Sequence, residues 1–107
     1  MALLFSYGSL QRAEVQHAAF GRLFDGMQDA LVAFELVPPA PGVSPHANVI
    51  RSNRNDCRVP GTAFEVTEAE LAAADEYERR DGYVRIAATL ASGKSAWVYV
   101  DAGPSGR

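Results

Sequence analysis

Two rhythms of apolar and polar positions run along this chain, one of strands and one of helices. Residues Ala2 to Tyr7 are almost continuously apolar, which predicts a strand buried on both faces, and Gly8 ends it. Ser9 then occupies a position from which serine caps a helix. The spacing predicts that helix through Leu10-Gln11-Arg12-Ala13-Glu14-Val15, stopping before Gly21. From Leu23 to Val37, β-branched and aromatic residues interleave with polar ones. Leu31, Ala33 and Glu35 fall on one face and Val32, Phe34 and Leu36 on the other, so a single strand is predicted. Pro38-Pro39-Ala40-Pro41-Gly42 and Ser52-Asn53-Arg54-Asn55-Asp56 are turn-rich, and they bracket a short strand at Asn48-Val49-Ile50.

The second half of the chain carries sharper punctuation. Pro60-Gly61 opens a strand from Thr62 to Val66, and Thr67-Glu68-Ala69-Glu70 has the Thr-x-x-Glu spacing of a capping box, so a helix starts at Thr67. It runs to Arg79 or Arg80, with Gly82 shortly after. Strands follow at Tyr83 to Leu90 and Ala96 to Val100, joined by Ala91-Ser92-Gly93-Lys94 in the manner of a hairpin. The order β-α-β-β-β-α-β-β does not alternate strictly. It predicts an α+β fold, a small mixed sheet curled toward a barrel with two main helices, rather than a doubly wound parallel sheet. Residues 102–107 offer little to bury and read as a flexible tail on a domain spanning residues 1–101.

Composition narrows the function classes. A chain of 107 residues with 48% hydrophobic content can build a core without disulfides or a structural metal. Net charge is −3, with 10 Lys plus Arg against 13 Asp plus Glu, and the scattered basic residues make a poor phosphate binder, so no nucleic-acid partner is expected. Cys57 is the single cysteine, which excludes an intrachain disulfide and suits a reducing cytoplasm. Met1-Ala2-Leu3-Leu4-Phe5 lacks a basic n-region and reaches Ser6 too soon for a signal peptide, and no stretch reaches the ~18 apolar residues of a membrane span. His17 and His46 have no Cys, Asp or Glu at ligand spacing, so neither a metal site nor a cofactor is expected, and His46 reads as a solvated loop residue.

Chemistry concentrates in two places. Leu71, Ala74 and Glu78 are spaced i, i+3, i+7 and share a helix face, which puts a carboxylate on an apolar stripe. Asp75 has Arg79 four residues on and Glu76 has Arg80, whereas Glu78 has Gly82 there and lacks a helical cation. Desolvation would then raise its proton affinity into the range useful for proton transfer. The alternative is a carboxylate at a fraying helix end that turns to water. The second place is Tyr7-Gly8-Ser9-Leu10, where a buried strand delivers the chain onto a helix N-terminus whose N–H groups can hold a carboxylate or an oxyanion. Here the alternative is a plain strand-to-helix turn.

Leu4-Phe5-Ser6-Tyr7-Gly8-Ser9-Leu10 resembles the Tyr-Gly-Ser-Leu signature of the γ-glutamylcyclotransferase-like (AIG2-like) superfamily. Pro60-Gly61-Thr62-Ala63-Phe64-Glu65-Val66 is similar to the strand preceding its helix. Asp75-Glu76-Tyr77-Glu78, Gly82-Tyr83-Val84-Arg85 and Trp97-Val98-Tyr99-Val100 resemble its Asp-x-Tyr-Glu, Tyr-x-Arg and final Tyr-Val elements. The resemblance implies a small barrel-like fold with a cavity and Glu78 as general acid/base. It further implies a substrate-binding loop at Tyr7, Gly8, Ser9 and Leu10, with Tyr83 and Tyr99 lining the pocket. The implied reaction releases 5-oxoproline and a free amine from a small γ-glutamyl amide, without metal or cofactor. Arg79 stands where many members carry Gly, and Ala74 where Leu is frequent, so glutathione as the particular substrate does not follow.

Rival readings are thinner. The residues around Ser9 do not form a Gly-x-Ser-x-Gly elbow, which disfavours a Ser/His/Asp hydrolase. Asp56 beside Cys57 opposes a thiolate. A binding module of the same fold, holding a γ-glutamyl or amino-acid-like ligand without turnover, remains the alternative from another class. An interaction protein displaying Trp97, Phe34 or Tyr99 is the third, although these residues read more simply as core. Monomer and homodimer are equally compatible with one sequence.

Overall fold

The computed structural model describes residues 2–38 and 48–101. The elements are β1 (Ala2–Ser6), a 3-10 turn (Ser9–Gln11), α1 (Ala13–Phe20), β2 (Met27–Val32), β3 (Phe34–Val37), β4 (Asn48–Arg51), β5 (Arg58–Val66), α2 (Glu68–Arg79), β6 (Tyr83–Thr89) and β7 (Ser95–Asp101). The fold is α+β, as the order of patterns predicts.

Five strands form one mixed sheet in the order β2-β5-β1-β7-β6, and β3 and β4 form a separate antiparallel ribbon. At its centre β1 pairs antiparallel with β5 and parallel with β7. The sheet curls until its edge strands approach: Leu31 bridges Leu90, and the Ala91 N–H donates to the Ala30 carbonyl at 2.8 Å. It does not close into a barrel. Alternation along β1 sends Phe5 into the hollow of the curl, where Leu31, Phe34, Val59, Leu90 and Val98 are buried with it. Leu4 points to the outer face, where Phe64 and Val66 of β5 pack with Leu71 and Ala74 of α2. Phe24 stacks on Phe64 with ring centroids 4.9 Å apart and meets Phe20 edge-on at 5.0 Å, which seats α1 on β5.

The capping box forms as expected. Thr67 Oγ1 accepts from the Glu70 N–H at 3.1 Å, and Glu70 Oε1 accepts from the Thr67 N–H at 2.8 Å. Glu70 also takes Arg22 Nη2 at 2.9 Å, and chiefly through that guanidinium its carboxyl is pulled down to about 2. One residue therefore starts α2 and ties it to the loop after α1.

Three local expectations are corrected. The predicted strand from Leu23 to Val37 is two strands in different sheets, broken at Ala33, whose φ is 64°. Long-range hydrogen bonds hold that left-handed backbone: the Ala33 N–H donates to the Cys57 carbonyl and its carbonyl accepts from the Ser52 N–H, both at 2.9 Å. Ser9 does not cap a helix. The chain first makes a 3-10 turn that buries Leu10, and α1 begins at Ala13 with Arg12 at the cap position and no side-chain cap bond. Finally, β5 begins at Arg58, so Pro60 and Gly61 lie inside the strand. Pairing with β1 ends at Ser6 opposite Thr62, so Pro60 has a strand neighbour on the β2 side alone and sits in an edge-like position, where proline is tolerated. His46 and the predicted tail at 102–107 lie outside the described residues.

Candidate active site

The site lies where two parallel neighbours part. β1 and β7 are in register at Leu4 with Trp97 and Phe5 with Val98. Beyond that point β1 turns away at Gly8 while β7 continues through Tyr99. The gap between them becomes a pocket with about 520 Å³ of empty space, its open mouth included. Phe5, Ser6, Tyr7, Gly8, Ser9 and Leu10 form one wall. Glu78 and Asp81, from the end of α2 and the turn after it, form the opposite wall with Tyr83 of β6 and Tyr99 of β7. Every residue singled out above as a site candidate, Tyr7, Gly8, Ser9, Leu10, Glu78, Tyr83 and Tyr99, therefore borders one cavity.

Glu78 reaches this place because α2 buries Leu71 and Ala74 on the same stripe, which turns Glu78 toward the sheet. Burial raises its carboxyl to about 7, and the nearby Asp81 charge adds to the rise. Near neutral pH both its ionised and its protonated form are therefore within reach. It can accept a proton in one step and return it in the next. No Lys, Arg or His is among the described residues lining the pocket, so no adjacent cation offsets this.

The three tyrosines remain phenols at ordinary pH. Burial, then the charges of Asp101 and Glu78, pushes Tyr83 up to about 12. Burial likewise raises Tyr7 and Tyr99. The Tyr7 hydroxyl donates to the Tyr99 carbonyl at 2.8 Å, stitching β1 to β7 just where their ladder ends. The Tyr99 hydroxyl donates to Asp75 Oδ1 at 2.7 Å. Its single proton points out of the cavity, so Tyr99 contributes a wall rather than a free donor.

The lining segment from Ser6 to Leu10 also offers backbone groups. The Gly8 N–H is taken by Ser6 Oγ at 3.2 Å, whereas Ser9 and Leu10 begin the 3-10 turn and have no acceptor within it. A Cβ at Gly8 would meet nothing within 4 Å, so nothing in the chain itself crowds this glycine. Gly61 is the reverse case. A Cβ there would lie 2.3 Å from the Ser6 carbonyl oxygen and 2.6 Å from Phe5 Cζ, so only glycine lets β5 press against the residues that floor the pocket.

The expected helical ion pairs form differently. Asp75 turns inward to Arg85 of β6, Nε to Oδ1 at 3.4 Å, and Arg79 pairs with Glu76 at 3.4 Å instead. Asp75 lies one turn before Glu78 on the side of α2 that meets the sheet, and that placement overrides the i, i+4 pattern. Sequence reasoning also missed Asp81, although it follows Glu78 by three residues and its N–H returns to the Glu78 carbonyl at 3.0 Å. It missed Gln16 as well. There the signal was available, because Gln16 precedes Phe20 by one turn and so puts an amide on the packing side of α1.

Comparison with known proteins agrees with this fold. The family model for γ-glutamyl cyclotransferases, AIG2-like, matches residues 4–106. The chain belongs to that family. Among solved structures, a solution structure from Arabidopsis thaliana superposes with a TM-score of 0.76 at 21% identity, over 92% of this chain and 61% of that one. An uncharacterized protein from Homo sapiens gives 0.73 at 22% identity, over 95% and 67%. A structure titled as a γ-glutamyl cyclotransferase gives 0.68 at 18%, over 94% and 66%. At these identities the structures share the fold with this AIG2-like chain, which spans about three-fifths of the Arabidopsis protein. No curated protein matches the chain in sequence. Among the described residues no helix is long and apolar enough to cross a membrane, and no group of three or more His, Cys, Asp or Glu could hold a metal ion.

Proposed function

We propose that this AIG2-like protein is a γ-glutamyl cyclotransferase that converts a small γ-glutamyl amide into 5-oxoproline and a free amine in the cytoplasm. The observation that carries the reading is Glu78: a carboxyl raised to about 7, with no basic neighbour among the lining residues, in one cavity with the Tyr7–Leu10 turn. The substrate carries its own nucleophile. Its α-amine attacks the γ-carbonyl carbon, a C–N bond forms, and the five-membered ring closes as the original amide C–N bond breaks. The attacking nitrogen must lose a proton and the departing nitrogen must gain one. Glu78 supports both transfers in turn, starting ionised and ending ionised.

Because the attack is intramolecular, holding the substrate folded replaces much of what a second reactant would cost in entropy. The pocket is suited to that task. The N–H groups of Ser9 and Leu10 can hold the α-carboxylate or the oxyanion that develops on the γ-carbonyl, while Tyr7, Tyr83 and Tyr99 enclose the chain between them. The chemistry draws on these groups alone.

The test is 5-oxoproline release, followed by mass spectrometry, across a panel of γ-glutamyl amino acids, amines and peptides. Release by the wild type and not by Glu78→Gln supports the reading and ranks the leaving amines. Binding of the panel without release from any member would replace it with the ligand-binding module.

A further inference from the structure

The turn that shares a cavity with Glu78 has on its rear side, where Gln11 and Gln16 bond its carbonyls, a second hollow bordered by Gln11, Gln16, Phe24 and Thr62. Two side-chain amides hold the turn from that rear side. Gln16 is only 6% exposed and is the buried residue of α1. Its Nε2 donates to the Leu10 carbonyl at 2.9 Å, and its Oε1 accepts from the Phe24 N–H at 3.1 Å. Gln11 Nε2 donates to the Gly8 carbonyl at 3.3 Å, and its Oε1 accepts from Thr62 Oγ1 at 2.9 Å.

A buried amide is costly unless both of its ends are paired, and an apolar residue would fill the Gln16 position without that demand. What the amide adds is a fixed distance between the Leu10 carbonyl and Phe24, whose ring is stacked on Phe64 in the core. In a planar trans peptide the carbonyl and the following N–H point in opposite directions. The Gly8 carbonyl accepts from the Gln11 N–H at 3.1 Å as well as from Gln11 Nε2, which sets the plane carrying the Ser9 N–H, while the Leu10 carbonyl held by Gln16 sets the plane carrying the Gln11 N–H. Gly8, Ser9 and Leu10 line the front pocket, and Gln11 and Gln16 line the rear one.

We propose that Gln16, which does not line the pocket with Glu78, is a positioning residue: it fixes the Leu10–Gln11 peptide, whose Gln11 N–H holds the Gly8 carbonyl and thereby the plane carrying the Ser9 N–H, so that substrate seats beside Glu78. The inference rests on the cyclotransferase reading above and adds a residue to it. Its signature is a split between binding and chemistry, because Gln16 acts on the wall opposite the proton-transfer group.

The experiment compares wild type with Gln16→Met, which keeps the length of the side chain and removes the amide. It measures kcat and KM for a γ-glutamyl compound that the wild type turns over, the Kd of 5-oxoproline by NMR titration, and the ionisation midpoint of Glu78 by carboxyl 13C NMR. Loss of these bonds should raise KM and Kd about tenfold, leave kcat within about twofold, and leave the Glu78 midpoint where it was. An unchanged KM, a kcat that falls at constant KM, or a displaced Glu78 midpoint would overturn the proposal. Should Gln16→Met fail to fold, Gln16→Glu keeps the acceptor for Phe24 and alters the group facing Leu10, and it is judged by the same split. If the wild type neither turns over the panel nor binds 5-oxoproline, the functional reading fails separately. The amide resonances of Ser9 and Leu10 then decide the positioning claim: displaced in Gln16→Met they uphold it, and unmoved they refute it.

Discussion

The two walls of the pocket are built by different means. The α2 wall is assembled from neighbours in sequence: a capping box four residues wide starts the helix, and Leu71 and Ala74 set the face on which Glu78 emerges. The β1 wall combines bonds a few residues long with contacts some fifty positions apart. The Gly8 and Leu10 carbonyls are held by Gln11 and Gln16, Gln11 is held by Thr62, and Ser6 and Phe5 rest against Gly61. The first wall carries the group that titrates and the second carries fixed peptide dipoles. Damage to the first should therefore appear in the chemical step and its pH dependence, and damage to the second in binding and stability.

Replacing Glu78 with Gln separates the walls most sharply. Loss of an acid/base group should lower kcat by about 10²–10⁴-fold, while 5-oxoproline still binds and the thermal midpoint does not fall. Parallel loss of binding would mean that the two walls do not divide the work in this way.

On the other wall, Gly61→Ala should be the most damaging single methyl. The added carbon would sit 2.3 Å from a backbone oxygen, which cannot rotate out of the way as a flexible side chain could. A destabilisation of about 3 kcal/mol in urea unfolding is expected, at the upper end of overpacking costs. A cost below about 0.5 kcal/mol, the range of an ordinary surface change, would show that β1 and β5 yield more easily than the contact implies.

The pH dependence tests the α2 wall again. Glu78 binds its proton more tightly in the folded chain than in the unfolded one, since its carboxyl is raised from 4.5 to about 7. The stability this contributes is complete below about pH 4.5 and is lost as the pH rises through about 7. Between pH 5 and 8 the wild type should lose about 1–2 kcal/mol relative to Glu78→Gln, a figure discounted for the partial exposure of the group. Glu70, held near 2 chiefly by Arg22, works in the opposite sense, and its contribution is lost only as the pH falls below about 4.5 toward 2. In kcat/KM the acid limb should have its midpoint near pH 7 and vanish in Glu78→Gln. A limb near pH 4 would place Glu78 in water.

The smallest effect is local. Thr67→Ala removes the hydroxyl that accepts from the Glu70 N–H and should cost about 1 kcal/mol, typical of an N-cap, with little change in KM. A KM that rose with it would mean that the start of α2 governs the substrate wall as well.

Much of this contrast was legible before any coordinates. Glu78 stood out because i, i+3, i+7 spacing is a property of one helix, and Thr67-x-x-Glu70 because a capping box closes within four residues. The break at Ala33 was invisible, since the apolar alternation runs unbroken through residues whose backbone is turned by bonds to Ser52 and Cys57. Ser9 read as a helix cap, yet burial of Leu10 tightened the turn before a regular helix could begin. Asp75 read as the partner of Arg79 and instead faces Tyr99 and Arg85, which arrive from two strands.

Sequence by itself determined the element types, the mixed order that excludes a doubly wound sheet, and the candidate residues on their own helix or strand. These depend on periods of two and 3.6 residues and on caps a few residues wide. Only the tertiary structure decided that β1 and β7 run parallel and then part, that Gln16 and Gly61 hold the turn from behind, and that Glu78 and the Ser9–Leu10 turn face each other. Apart from the Gln16 bond, such facts join residues fifty to more than ninety positions apart, and what brings them together is the burial of Leu4, Phe64, Leu71 and Ala74 in one core, a three-dimensional fit with no counterpart in local spacing.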